Sequence, residues 1–453
     1  VYGLLQSGDA TTILTPGASK GVDRLNGFQF SARAGTALAT TSHKCVEGSH
    51  RFSPYLENLK SKGRNRAPRL ISIPTVRDRA VLHQLNKLIA AAFPDCVPRN
   101  VANNYVRSII GDLRDKSPRS TYVCGCDIKT FYDSIHRDRL FSTLQKRLKF
   151  EPALKLIKRA VLTPTVPKNV RRQNYSIYKS RKGIPQGLAI SNILAAIYLS
   201  DVDAAMKEMK VTYFRYVDDI LFYGRGKNVR NAHRSLVARL RRRGLSVHAL
   251  GKGKSHLGPL SSPFGYLGYS FRWPNITVRD TTVERLLQSV ASKFSEYIHN
   301  KARRLEKCKY LNEERLAEIF LLELNERISG AISEKRRYGW VAYFSQINDL
   351  SLLHKLDDAV SQMFCRMPDF DRKAPAGLKK FRRAYFEMKF NPSGGYVRDY
   401  DKIVTRTEKL AFLSERGRVS PTDTLTDDQI NARFDSYRRR VLSQMHADEQ
   451  AIY

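Results

Sequence analysis

Two adjacent aspartates interrupt the run Phe214-Arg215-Tyr216-Val217-Asp218-Asp219-Ile220-Leu221-Phe222-Tyr223, and no other stretch restricts the fold as much. β-Branched and aromatic residues on both sides read as two short strands with the acidic pair at the tight turn between them. Such a hairpin holds both carboxylates at its tip. Ionised carboxylates side by side repel unless cations neutralise them, and hard cations such as Mg²⁺ prefer oxygen ligands, so the tip is a candidate metal site. An Asp-Asp turn on a solvated hairpin is the alternative that this stretch alone leaves open.

Upstream, Tyr122-Val123-Cys124-Gly125-Cys126-Asp127-Ile128 again puts an aspartate at the end of an apolar run. A strand closed by Asp127 can lie beside the hairpin and bring a third carboxylate to the same point. Three carboxylates suit a pair of divalent metals roughly 3.5 to 4 Å apart, the device with which polymerases stabilise the attacking and leaving oxygens of phosphoryl transfer. Between the two stretches, Gly183-Ile184-Pro185-Gln186-Gly187 forms a glycine-bounded turn into the apolar segment Leu188 to Leu199.

An aspartate-led strand, a Pro-Gln-Gly turn into a helix and a Tyr-Val-Asp-Asp hairpin, in this order, resemble reverse transcriptases. The resemblance runs from about residue 50 to about 345 and is similar to prokaryotic enzymes of the group II intron, retron and abortive-infection or defence-associated kinds, closest to the last. It implies an α+β right-hand polymerase fold. The implied segments are an N-terminal leader (1–50), fingers (51–122), a palm with an antiparallel sheet (123–275, with a finger insertion at about 150–182), a helical thumb (276–365) and a C-terminal helical extension (366–453). It also implies RNA as template, DNA as product, dNTPs as substrates, and two Mg²⁺ ions, with Mn²⁺ as the substitute. Asp127, Asp218 and Asp219 would be catalytic and would hold the metal, with Ile128 beside them.

The same resemblance assigns further positions. Arg69 and Arg77 are candidates for triphosphate contacts, with Lys60 and Lys62 behind them; a basic hairpin holding the template backbone would use the same residues. Tyr132 falls where the family places an aromatic residue that closes the sugar side of the nucleotide pocket, and a ring there collides with a 2′-hydroxyl. Gln186 faces the nucleotide or template base, and Lys254, with Lys252 as fallback, the departing pyrophosphate. Tyr216 and the hairpin around Gly265, Tyr266 and Gly268 would support primer and template. Arg303 and Arg304 would hold duplex phosphates, and Trp340 is read as bundle core first and RNA contact second.

Local patterns fill in the elements. Residues 1–50 are rich in Gly, Ala, Ser and Thr and read as irregular or partly ordered. Asp78 reads as the N-cap of a helix carrying Val81, Leu82, Leu85, Leu88 and Ile89, and Lys168 to Lys182 reads as two basic strands. Helical spacing marks Asp138 to Leu148, Asn228 to Arg243 and three stripes after Val283; Thr426 to Gln429 reads as a capping box.

Charge points to the partner. With 79 Lys plus Arg against 43 Asp plus Glu, the net charge of +36 favours a polyanion and strongly salt-dependent binding. The six cysteines show no CxxC spacing, so neither a zinc site nor a disulfide framework is expected, and Cys124 and Cys126 read as small core residues. No apolar run approaches the roughly 18 residues of a membrane span, and no signal peptide is recognised, so a cytoplasmic, membrane-free setting is expected. A homo-oligomer is compatible with the sequence. Three other readings share these residues: a group II intron-type maturase or RNA-binding scaffold, a retron enzyme, and an RNA-templated RNA polymerase. The intact aspartate triad disfavours the first, the missing Val-Thr-Gly the second and Tyr132 the third. Ser191-Asn192, where the family often has Ser-Pro, is similar to the defence-associated branch, which by analogy implies a dedicated non-coding RNA in bacterial antiphage defence.

Overall fold

The apolar runs that bracket the aspartates pair edge to edge, as their β-branched and aromatic content favours. In the computed structural model, which describes residues 19–31, 34–61, 67–98, 101–251 and 253–450, the chain divides into two units. One comprises residues 1–99 and 117–260, the other 100–116 and 261–453.

The first unit contains, in chain order, α1 (Ala34–Val46), β1 (Tyr55–Lys60), β2 (Arg69–Ile73), α2 (Val76–Ala92), β3 (Thr121–Asp127), α3 (Arg137–Arg147), α4 (Glu151–Leu162), β4 (Thr165–Val166), α5 (Ser191–Lys207), β5 (Thr212–Tyr216), β6 (Asp219–Arg225), α6 (Gly226–Arg242) and β7 (His256–Pro259). Strands β5, β6, β3 and β7 form an antiparallel sheet in that order, so β3 is central. Its residues Val123, Cys124 and Cys126 are buried, which is why the strand reads as a near-continuous apolar run. Helix α6 packs on this sheet through Val229, Ala232, Leu236 and Leu240, one stripe at helical spacing, and turns its arginines to water. Helix α5 is apolar nearly all round and lies in the same core, with α3 and α6 against it.

Strands β1 and β2 make the expected basic hairpin, with β4 parallel to β1. The helix that follows starts one turn earlier than the sequence suggests. Thr75, not Asp78, is the N-cap: its side chain accepts from the Asp78 amide at 3.2 Å. Asp78 is itself fully buried, bonded to His50 Nε2 at 3.2 Å and to the Ser53 amide at 2.8 Å. Two other expectations change. Residues 34–46 are helical, because Thr41 and Cys45 give small residues a buried stripe against α4 and α2. The segment 172–178 is a 3₁₀ helix rather than strand, since its basic and aromatic residues do not alternate and none is buried.

In the second unit a three-stranded meander, β8 (Phe264–Tyr266), β9 (Tyr269–Arg272) and β10 (Asn275–Val278), leads into α7 (Asp280–Lys307), α8 (Glu313–Ser329) and α9 (Leu350–Met363). These helices are the three sequence stripes, closed by edge-on contacts of Phe294 with Phe320 and Phe364 at about 5 Å. Helices α10 (Phe381–Phe390), α11 (Arg406–Glu415) and α12 (Asp427–Gln450) belong to the same unit. A buried polar cluster ties α12 and the ends flanking α11 to α8: Glu326 accepts from the Tyr400 hydroxyl and from Tyr437, and Arg416 lies 3.6 Å from its carboxylate. No helix among the described residues is long and apolar enough to cross a membrane.

Candidate active site

Register does most of the assembly. Asp127 at the end of β3 stands directly opposite Asp219 at the start of β6, and Tyr216 at the end of β5 faces Asp219 from the other side. Only Val217 and Asp218 remain for the turn, so the three aspartates share one end of the sheet. A two-residue turn of this hand needs positive φ, and Val217 adopts +56°, which a β-branched residue rarely does. Two bonds hold it there. Arg215 Nη1 donates to the Val217 carbonyl at 2.9 Å, and the Ile128 amide donates to the Asp218 carbonyl at 3.2 Å. Arg215 is fixed in turn by both oxygens of Asp203 on α5, through Nε at 2.7 Å and Nη2, and Tyr213 donates to the same carboxylate at 2.8 Å.

Burial, and next the Asp127 carboxylate, push the Asp218 carboxyl above its ordinary range, while the Arg69 and Lys254 charges pull it back. Lys254 Nζ lies 2.5 Å from Asp127 Oδ2, and His248 Nε2 lies 3.6 Å from the same oxygen. An all-oxygen donor set with one carboxyl disfavoured as an anion fits hard divalent cations such as Mg²⁺ or Mn²⁺. Ile128 belongs to the same turn through its amide, with its side chain in the core.

The Pro-Gln-Gly turn sits against the basic hairpin. Ser72 on β2 donates its amide to the Gln186 carbonyl at 2.7 Å. Gly187, at φ +100°, approaches so closely that a Cβ would lie 2.8 Å from Ile71 Cγ2 and 3.0 Å from the Ser72 carbonyl oxygen. On its other side, Gly183 and Ile184 donate to the carbonyls of Ile135 and Tyr132 at 2.8 and 2.9 Å. Arg137 braces the approach to the turn by donating to the Ser180 and Gly183 carbonyls at 2.6 and 2.7 Å. Tyr132 is thereby placed beside the aspartates. Its hydroxyl donates to Asn192 Oδ1 at 2.6 Å, and burial, then the Asp218 charge, push it well above the ordinary phenol range, so it stays protonated.

The remaining candidates scatter. Arg69 is near enough for its charge to act on both Asp218 and Tyr132. Arg77 is instead committed to Asp78 at 3.0 Å and to Ser53 at 3.1 Å. Lys60 ends β1, while Lys62 and Lys252 lie outside the described residues. In the second unit Gly265, Tyr266 and Gly268 form the expected hairpin, but Tyr266 is buried and Gly265 is covered by the Arg279 guanidinium. Arg303 is exposed and Arg304 half-buried on α7. Trp340 is only 2 % exposed and packs on Phe344 and Phe381, so its ring faces the core and not a template.

Sequence reasoning missed Asp203, Arg215, Asn192, Arg137 and His248. Arg215 and Asn192 stand inside the quoted motifs, yet their partners come from other elements and carry no local spacing signal.

Residues 59–271 match the family model described as reverse transcriptase (RNA-dependent DNA polymerase). Over 150 residues, 31% of this chain, the sequence is 28% identical to an uncharacterized 91 kDa protein in the cob intron of Schizosaccharomyces pombe; the chain spans 17% of that relative's length. Among solved structures, apo telomerase from Candida tropicalis aligns over 90% of this chain and 68% of its own, at 12% identity and TM-score 0.45. Telomerase from Candida albicans in complex with the TWJ fragment of telomeric RNA aligns over 76% of this chain and 68% of its own, at 11% identity and TM-score 0.42. The family match covers the central sheet, the hairpin tip and the Pro-Gln-Gly turn together, and residues 59–271 therefore carry a reverse transcriptase domain.

Proposed function

We propose that this chain is an RNA-directed DNA polymerase that extends a primer with dNTPs on an RNA template. The observation that carries the reading is the register pair Asp127 and Asp219 with Asp218 in the turn beside them, inside the matched domain. These three residues would hold two divalent cations, Mg²⁺ or Mn²⁺. When bound, such ions lower the pKa of the primer 3′-hydroxyl and neutralise charge on the triphosphate.

The chain's own residues supply position and field. Arg69 extends from β2 toward the aspartates and meets the triphosphate, while Lys254 balances Asp127 and faces the departing pyrophosphate. Tyr132, held by Asn192, closes the sugar side against a 2′-hydroxyl. The Gln186 turn, fastened to β2 at Ser72, keeps the nucleotide between the basic hairpin and the sheet end. Positioning of this kind contributes by converting a bimolecular encounter into an oriented one. Tyr216 would support the primer end beside Asp219, and in the second unit the exposed Arg303 and half-buried Arg304 of α7 would contact nucleic-acid phosphates.

The biological setting we favour is copying of a dedicated non-coding RNA in bacterial antiphage defence, supported by Ser191-Asn192 after the turn. A second setting, intron-type maturation, is favoured by the similarity to the cob intron protein. The double variant Asp218→Ala with Asp219→Ala separates chemistry from scaffolding. Incorporation of dNTPs in Mg²⁺ should be lost while RNA affinity persists; undiminished incorporation would refute the polymerase, and retained biological activity would favour the maturase. Sequencing of RNA and cDNA that copurify from native cells distinguishes one enriched small RNA from an intron or a random transcript sample.

A further inference from the structure

On the opposite face of the same strand, Cys124 and Cys126 stand three residues and one residue before Asp127 and are 0 % and 1 % exposed. Their sulfurs lie 3.6 Å apart, and a nitrogen of His233 on α6 joins them, all three ligand atoms lying within 4.8 Å of one another. Alternate residues of an extended strand stand about 6.6 Å apart, the upper end of the range a disulfide tolerates, so oxidation of this pair is disfavoured. The sulfur separation matches something else. Two thiolates each about 2.3 Å from one tetrahedral ion stand about 3.7 Å apart, and an imidazole nitrogen completes such a set from a similar distance.

We propose that Cys124, Cys126 and His233 bind one thiophilic ion, Zn²⁺ by its preference for two sulfurs and a nitrogen, with water in the fourth position on the half-exposed His233 side. Binding forms two metal–sulfur bonds and one metal–nitrogen bond and releases the two thiol protons to solvent. No electron is transferred. Because Cys126 precedes Asp127, the ion would clamp α6 to the strand end that carries a catalytic carboxylate. The site is independent of the polymerase reading, since its ligands are on the opposite face from the aspartates.

Cadmium serves as the probe. Titrated into the reduced full chain, it should raise a thiolate-to-metal charge-transfer absorption that saturates at one equivalent and is reversed by competing Zn²⁺. The Cys124→Ser, Cys126→Ser double variant keeps Cys45, Cys96, Cys308 and Cys365 and should lose the band; a band of equal strength there overturns the proposal. Should that variant fail to fold, His233→Ala, a change at a half-exposed helix position, decides: the site requires cadmium affinity at least about tenfold weaker, and unchanged affinity overturns it. Absence of a one-equivalent band in the parent chain overturns it as well. The Asp218→Ala, Asp219→Ala chain should develop the same one-equivalent thiolate band as the parent whatever cadmium its carboxylates no longer bind, so failure here and failure of the polymerase assignment are told apart.

Discussion

Asp78 and Asp218 are both withdrawn from water, and their surroundings push them in opposite directions. Burial raises the Asp78 carboxyl, but the His50 hydrogen bond, the Arg77 charge and the Ser53 amide outweigh it and leave it below the ordinary range. A depressed carboxyl contributes stability above its unfolded pKa, lost as pH falls through the folded value. Asp218 is raised, so its favourable form is the protonated one: that contribution is full below the unfolded pKa and disappears as pH rises through the folded value. At neutral pH without divalent metal, Asp78→Asn should therefore destabilise the fold, by about 3 kcal/mol as for a broken buried pair, and Asp218→Asn should stabilise it. Thermal unfolding in chelator checks both signs, and both differences should shrink in acid. In Mg²⁺ the Asp218→Asn chain should incorporate dNTPs at least about a hundredfold more slowly, the usual exchange of stability for function at a charged site. Tyr132 carries the second residue-scale prediction. Trimming it to Val should raise ribonucleotide use relative to deoxynucleotide, and Asn192→Ala should do so more weakly, because it frees the ring without removing it. Single-nucleotide incorporation with each sugar measures the ratio; no change would return Tyr132 to a packing role.

Elements were legible where one face is buried and the period is therefore imposed. Helices α3, α6 and α7 repeat their apolar residues at 3.6, while β3 and β6, each with consecutive buried residues, read as apolar runs that end or begin at an aspartate, so the aspartates could be placed at the sheet end from sequence. Where burial imposes no period the reading failed: 172–178 has no buried residue, and α1 buries only small ones. Contacts across elements were illegible for a different reason. Arg77 and Arg69 look alike in sequence, yet a buried Asp78 captures one and leaves the other toward the site. Thr75 and Asp78 are both good caps, and the register of one turn decides between them. The Pro-Gln-Gly turn gives a test at this scale. Gly187→Ala combines a left-handed φ with a 2.8 Å approach to Ile71, so the turn must leave β2 or strain by about 1–3 kcal/mol. Stability should fall by that order and KM for dNTP should rise, whereas Gly35→Ala on α1, where an added Cβ meets nothing within 4 Å and φ is not positive, should leave KM near its original value.

At the scale of the whole molecule the governing quantity is the net charge of +36, which no fold requirement explains and which a polyanionic partner does. Charge by itself reads no sequence, so two components of RNA affinity should separate under salt. Each neutralised phosphate releases counterions, and the slope of log affinity against log salt is about −0.7 per contact on single strands and −0.9 on duplex. A surface touching six to ten phosphates then loses roughly a thousandfold to a hundred-thousandfold between 50 and 200 mM salt. Replacing Arg303 and Arg304 by Ala should flatten that slope by up to about two and weaken all RNAs alike, because a phosphate contact carries no base information. The Asp218→Ala, Asp219→Ala chain should keep the parent slope, since its change lies at the chemistry and not along the backbone track. Filter binding of one structured RNA and one unrelated RNA across a salt series measures both effects. An Arg303, Arg304 variant with the parent slope would remove α7 from the nucleic-acid surface, and one that loses affinity for a single RNA only would make those arginines readers of shape or sequence instead of holders of phosphate.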